Sequence, residues 1–230
     1  MRIDVSHRPA YAMATVHLEP GETCVAEAGA MMSMETHVKM DTSAAKPNQG
    51  MLGGLMSGLK RMVAGESFFQ NRFTSPDQPG HVIFAPTLPG DIATYTLNGG
   101  GIMLQSSAYL CSIDTVTVDA KWGGAKSFFG GEGLVMLKAT GAGLIAFGSF
   151  GGIREIDVDG KFTVDTGHIV AFEDSLKFKV GKFGGGWMAF LFGGEGLVCN
   201  FTGTGKLWIQ TRTPQGFGQA IAPHLPQRRS

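Results

Sequence analysis

Disulfides, a net charge, an export signal and recognisable catalytic motifs are all missing from this chain of 230 residues. Only three cysteines occur, Cys24, Cys111 and Cys199, far apart and among apolar neighbours. That spacing excludes a disulfide framework and suits buried thiols in a reducing compartment, with the cytoplasm as the default location. Nineteen basic residues balance nineteen acidic ones, so the electrostatic footprint of a nucleic-acid binder is absent. The opening Met1-Arg2-Ile3-Asp4 lacks the apolar stretch of a secretory signal. The longest uncharged run, Ile92 to Ile113, carries Asn98-Gly99-Gly100-Gly101 at its centre, which predicts a hairpin rather than a membrane helix.

The usual routes to chemistry are equally bare. No G-x-S-x-G elbow occurs, and apolar surroundings raise a thiol pKa instead of activating it. His7, His17, His37, His81, His168 and His224 show no H-x-x-x-H or H-x-H spacing, so no zinc site is indicated. His168, after Asp165-Thr166-Gly167, reads as a partly exposed turn histidine. The Gly-Gly-Glu-Gly runs lack the Lys-Ser/Thr and the helix of a phosphate cradle. No enzyme activity, cofactor or metal is expected.

What is present is repetition. Gly65-Glu66-Ser67-Phe68-Phe69 returns as Gly131-Glu132-Gly133-Leu134-Val135 and as Gly194-Glu195-Gly196-Leu197-Val198, at steps of 66 and 63 residues. Upstream, Leu18-Glu19-Pro20-Gly21-Glu22 corresponds to Leu97-Asn98-Gly99-Gly100-Gly101 and to Val164-Asp165-Thr166-Gly167-His168, three turn sequences. Each is followed by an apolar run that predicts a buried strand: Cys24-Val25-Ala26, Ile102-Met103-Leu104 and Ile169-Val170-Ala171. Downstream, Phe73-Thr74, Ala139-Thr140 and Phe201-Thr202 lead into last strands around Ile83, Ile145 and Trp208.

The expected fold is therefore all-β: one domain over residues 1–222, built from three tandem β-repeats at about 1–88, 89–155 and 156–222, closed as a pseudo-threefold barrel or stacked sandwich. The 35 glycines fit tight turns between apolar strands, and 43% hydrophobic residues can build a substantial core. Residues 223–230, with Arg228-Arg229, read as a flexible tail.

Each copy carries a glycine-rich apolar segment ahead of its Gly-Glu pair. Leu55, Leu59, Lys60 and Arg61 belong to the first, Trp122, Phe128 and Phe129 to the second, and Phe183, Trp187 and Phe190 to the third. Symmetry would bring them to one pole as a contact surface. They would plug the ends of their own barrel, form the core of a homo-oligomer, or sit at lipid headgroups while Lys60, Arg61, Lys121, Lys126 and Lys182 meet anionic lipid on the inner face of a membrane. Glu66, Glu132 and Glu195 could converge on a cation. As repeated turn residues accepting amide hydrogen bonds they need no metal.

Pro20-Gly21-Glu22-Thr23, Gly53-Gly54-Leu55 through Leu59-Lys60-Arg61, Gly65-Glu66-Ser67-Phe68-Phe69, Pro89-Gly90-Asp91-Ile92, Phe129-Gly130-Gly131-Glu132-Gly133-Leu134, Val164-Asp165-Thr166-Gly167-His168, Ala171-Phe172-Glu173 and Phe192-Gly193-Gly194-Glu195-Gly196-Leu197 resemble the bacterial branch of the altered-inheritance-of-mitochondria protein twenty-four family over nearly the whole chain. The resemblance implies a β-rich, internally repeated fold similar to the tryptophan RNA-binding attenuation protein, and assembly into oligomers. The family's mitochondrial member is associated with the inner membrane and the organisation of its complexes. No catalytic residues carry over. The function expected is that of a non-enzymatic oligomeric scaffold or membrane-surface adaptor. The alternative is a small-ligand or RNA-binding module with a pocket between β-repeats, in which Trp122, Trp187 and Lys126 would stack on and pair with bases.

Overall fold

The computed structural model describes residues 1–42, 70–119, 135–182 and 197–226. In the first segment β1 (Arg2–Ser6), β2 (Met13–Leu18), β3 (Thr23–Glu27), β4 (Met31–Met34), β5 (Lys39–Asp41), β6 (Gln70–Thr74) and β7 (Gly80–Phe84) follow one another. The second holds β8 (Ile92–Gln105), β9 (Tyr109–Ile113), β10 (Val116–Asp119) and β11 (Met136–Gly148). The third holds β12 (Ile153–Asp165), β13 (Ile169–Glu173), β14 (Lys177–Lys182) and β15 (Leu197–Gln210), before helix α1 (Pro214–Ile221).

Burial follows the side-chain period of two wherever one face meets a core. In β2, Ala14, Val16 and Leu18 are buried while Thr15 and His17 are only half-buried. The second half of β8, Gly101 to Gln105, is instead buried at every position, with Ile102 and Leu104 in one core and Met103 in the next.

One pairing scheme occurs in all three segments. A long return strand, or two short ones, lies antiparallel to its predecessor: β7 and β6 on β2 and β3, β11 on β8, β15 on β12. The other flank of the return strand takes β4, β9 or β13, and then β5, β10 or β14. Even the one-residue register shift recurs, at Met31/Ser33 against β7, between Tyr109 and Cys111 on β11, and at Ile169/Ala171 on β15. Neighbouring segments join where β9 pairs β3 and β13 pairs β8.

The result is a four-stranded sheet, β1-β2-β7-β4, and an eleven-stranded one. Three cores form, the first from residues of both sheets and the other two from the larger sheet and its connections. The first is walled by Val16, Phe73, Phe84 and Leu110, the second by Leu104, Tyr109, Phe147 and Trp208, the third by Met103, Phe172, Phe201 and Leu207.

Three expectations need correction. The expected barrel is not closed: among the described residues β4 pairs only with β7, and β12 only with β15. Asn98-Gly101 does not reverse the chain, because β8 runs unbroken from Ile92 to Gln105 with β11 beside it throughout. Gly99, at φ 91°, lets the strand change course opposite the β11 irregularity at Thr140/Ala142. In the third segment the matching position is Asp159-Gly160, inside β12, where Gly160 (φ 99°) faces Gly203, and not Val164–His168. Thr166–His168 forms a 3-10 turn in which the Asp165 carboxylate accepts the Gly167 N–H at 2.8 Å. Ile169-Val170-Ala171 accordingly takes the place of β9, not of β8.

Helix α1 was not read from the sequence, although Thr213-Pro214 signals it: the Thr213 hydroxyl accepts the Gly216 N–H at 3.0 Å and Pro214 occupies the first turn. Beyond it a 3-10 turn, Ala222–His224, occupies the start of the expected tail, and residues 227–230 lie outside the described residues.

Candidate contact surface

Three hairpins carry the three apolar segments. β5 and β6 are in register from Lys39↔Thr74 to Asp41↔Arg72, β10 and β11 from Val116↔Gly141 to Asp119↔Lys138, and β14 and β15 from Lys177↔Thr202 to Lys182↔Leu197. In the chain, each segment therefore falls between the two strands of one such pair. Leu55, Leu59, Lys60, Arg61, Trp122, Phe128, Phe129, Phe183, Trp187 and Phe190 all lie outside the described residues, as do Glu66, Glu132 and Glu195.

Cys24, Cys111 and Cys199 are free and fully buried. Burial pushes the Cys24 and Cys199 thiols up to about 12 and raises Cys111 as well, so none supplies a thiolate nucleophile near neutrality. His168 sits in its turn half-buried, its Nδ1 donating to the Gln210 carbonyl at 2.7 Å.

Pairing brings together histidines that no spacing rule linked. His17 and His81 are directly opposite on β2 and β7, with ring centroids 6.2 Å apart. Asp4 lies 3.0 Å from His17, and Glu35 lies 3.2 Å from His81 and 3.8 Å from His37. His17, Glu35 and His81 line an open groove, and no three of the described His, Cys, Asp or Glu side chains are arranged to hold a metal ion.

A buried carboxylate also escaped sequence reasoning. Asp91 receives a bidentate pair of hydrogen bonds from Arg8, Nε at 2.7 Å and Nη2 at 2.9 Å, and accepts the Ile92 N–H at 2.9 Å. Its geometry is that of a structural clamp between the first and second segments, since the guanidinium fork satisfies both carboxylate oxygens.

With that framework in place, comparison with known proteins is decisive for kinship. The family model described as mitochondrial biogenesis AIM24 matches residues 3–212. The chain belongs to the AIM24 family. An uncharacterised protein of Streptococcus pyogenes serotype M6 is 29% identical over 236 residues, covering 98% of this chain and 92% of that one. The crystal structure of another Streptococcus pyogenes protein, a structural genomics target, superposes with a TM-score of 0.77 at 25% identity, covering 97% of this chain and 99% of that one. Among the described residues of this AIM24 chain, no helix is long and apolar enough to cross a membrane.

One group beside the first hairpin responds to pH. Glu27 ends β3 opposite Gln70, and burial pushes its carboxyl up to about 7 from the ordinary 4.5. Its folded pKa lies above its unfolded one, so stability is undiminished below pH 4.5 and falls as pH rises through 7. Because the residue is only half-buried, solvent screens much of the effect. Glu27→Gln is expected to raise stability by about 1 kcal/mol at pH 8 and to leave it unchanged at pH 4, read from urea midpoints at the two pH values.

Proposed function

We propose that this AIM24-family chain is a non-enzymatic β-protein that assembles from more than one copy and works as a scaffold or adaptor on the inner surface of a membrane, through the segments its three hairpins carry. The observation that supports this is the coincidence of sequence and pairing. Trp122, Trp187 and the phenylalanines of residues 128, 129, 183 and 190, interleaved with glycine and flanked by lysine, all belong to segments rooted in hairpins of one design. Aromatic residues at headgroup depth with cations toward anionic lipid are the composition that interfacial binding requires.

Flotation with vesicles tests it. The protein is expected to rise with phosphatidylserine-containing vesicles and to stay at the bottom with phosphatidylcholine alone. Trp187→Ser combined with Phe190→Ser should cut the floating fraction several-fold, since each removes a large apolar side chain from the contact. Sedimentation with both lipids would remove the membrane half of the reading.

A further inference from the structure

Each junction between segments is built the same way, and both ends of the chain hold half of an unused one. At the first junction β9 lies on β3, pairing Ile113↔Cys24, Ser112↔Val25 and Cys111↔Ala26. At the second β13 lies on β8, pairing Glu173↔Ile102, Phe172↔Met103 and Ala171↔Leu104. Following the common scheme, β4 is the counterpart of β9 and β13, and the second half of β12 the counterpart of β3 and of the second half of β8. Among the described residues, neither has a partner on that edge.

Burial marks the same two places. Leu110 and Val170, on the joining strands, are 1% and 0% exposed, each inserted into the core of the preceding segment. The corresponding residue of β4 is Met32, and it is 59% exposed. On the receiving strands Cys24 and Ile102 are both 0% exposed, whereas their counterpart Phe162 is 38% exposed. The third core keeps an incompletely covered rim at Ile156, Phe178, Val180 and Ile209. An apolar knob at one end thus matches an open apolar core at the other.

The polar contacts agree. Arg72 pairs with Asp114 at 3.2 Å across the first junction, and Lys138 with Asp174 at 3.0 Å across the second. The matching positions at the free ends are Asn200 and Thr36, neutral on both sides, so joining them leaves no unpaired charge. The Asp114 N–H donates to the Thr23 carbonyl and the Asp174 N–H to the Gly101 carbonyl. By the same register the Thr36 N–H would meet the Lys161 carbonyl. Natural edge strands are shielded by charge or proline, and Met31-Met32-Ser33-Met34 has neither.

We infer that copies of this chain join head to tail, β4 of one lying antiparallel on the second half of β12 of the next, with Ser33 opposite Val164, Met34 opposite Thr163, Glu35 opposite Phe162, and Met32 filling the third core. This rests on the assembly part of the function proposed above and names its surface. The contact is heterologous, so it closes into a ring or runs on as a filament according to the rotation between copies.

Short bismaleimide crosslinking of cysteine variants tests the register, the native thiols being buried and unreactive. Mixing Met34→Cys with Thr163→Cys is expected to give one covalent dimer, each variant alone none, and the double variant a ladder. Met32→Lys should reduce the mass in light scattering to that of one chain while leaving far-UV circular dichroism unchanged, because Met32 is already in water in the single chain. A crosslink confined within one chain, or a multimer that forms without the mixed dimer, overturns the proposed edge and leaves assembly by other surfaces standing. A single-chain mass for the unaltered protein at high concentration overturns the edge and the assembly reading together; vesicle flotation, which needs no assembly, reports separately on the membrane reading.

Discussion

Gly90→Ala should unfold this protein under conditions where Gly100→Ala leaves it intact. A Cβ on Gly90 would lie 1.8 Å from the Ser149 carbonyl oxygen and 2.8 Å from that of Gly151, both main-chain atoms that no rotamer change can move. The approach is this close because Gly90 and Gly151 form a parallel bridge where the three segments meet. The Gly90 carbonyl accepts the Ala12 N–H at 2.9 Å, the Asp91 N–H reaches the Gly151 carbonyl at 3.0 Å, and Gly151 N–H returns to Pro89 at 3.0 Å. Arg8 grips Asp91 one residue away. Separating these chains by the ångström or more that a methyl group demands breaks several buried hydrogen bonds at once, a loss of about 4 kcal/mol. For a chain of this size that is roughly a 10 °C fall in melting temperature. Gly100 has nothing within 4 Å of its Cβ position, so alanine there is expected to change stability by no more than about 0.5 kcal/mol. Equal urea midpoints for the two variants would contradict the bridge.

Such main-chain crossings are invisible in sequence, whereas the strands that lead to them are not. Cys24-Val25-Ala26 and Ile102-Met103-Leu104 read as buried strands because short apolar runs between glycine turns have few other stable fates, and both lie in β-sheet cores. Ile169-Val170-Ala171 has the same character and was placed in the wrong role. Its local pattern carries no information on whether its partners are β15 and β8 or a long return strand alone; hydrogen bonds between residues far apart decide that. Asp159-Gly160, which lies within β12, lost to the stronger turn signal of Asp165-Thr166-Gly167 for the same reason, turn chemistry being read without knowledge of what lies alongside. Arg8 and Asp91, separated by 83 positions, offered no signal either. Of the candidate contact surface, the described residues include only the hairpin roots, so its aromatic residues remain a reading of composition.

Trp208→Ala is expected to cost about 4 kcal/mol and to split the unfolding transition in two. The side chain is 1% exposed, on a strand of the third segment, yet it packs in the second core. Its ring meets Tyr95 edge-on at 5.2 Å and Phe147 at 5.3 Å, both from the second segment, and its indole N–H donates to Glu155 at 3.0 Å. Tyr95 in turn donates its hydroxyl to Glu173 of the third segment at 2.7 Å. Truncation leaves a large cavity at an aromatic cluster that couples these two segments, and alanine cannot fill it. Trp208→Phe keeps most of the contact and loses the N–H bond, for about 1 kcal/mol. The distinction between a local cavity and lost coupling lies in the shape of the melt. If the joint carries the cooperativity, calorimetry of the alanine variant resolves a third-segment transition below that of the remainder, with a calorimetric enthalpy exceeding the van't Hoff value. A single sharp transition merely shifted downward would mean that β13 on β8 suffices to hold the segments together without the ring.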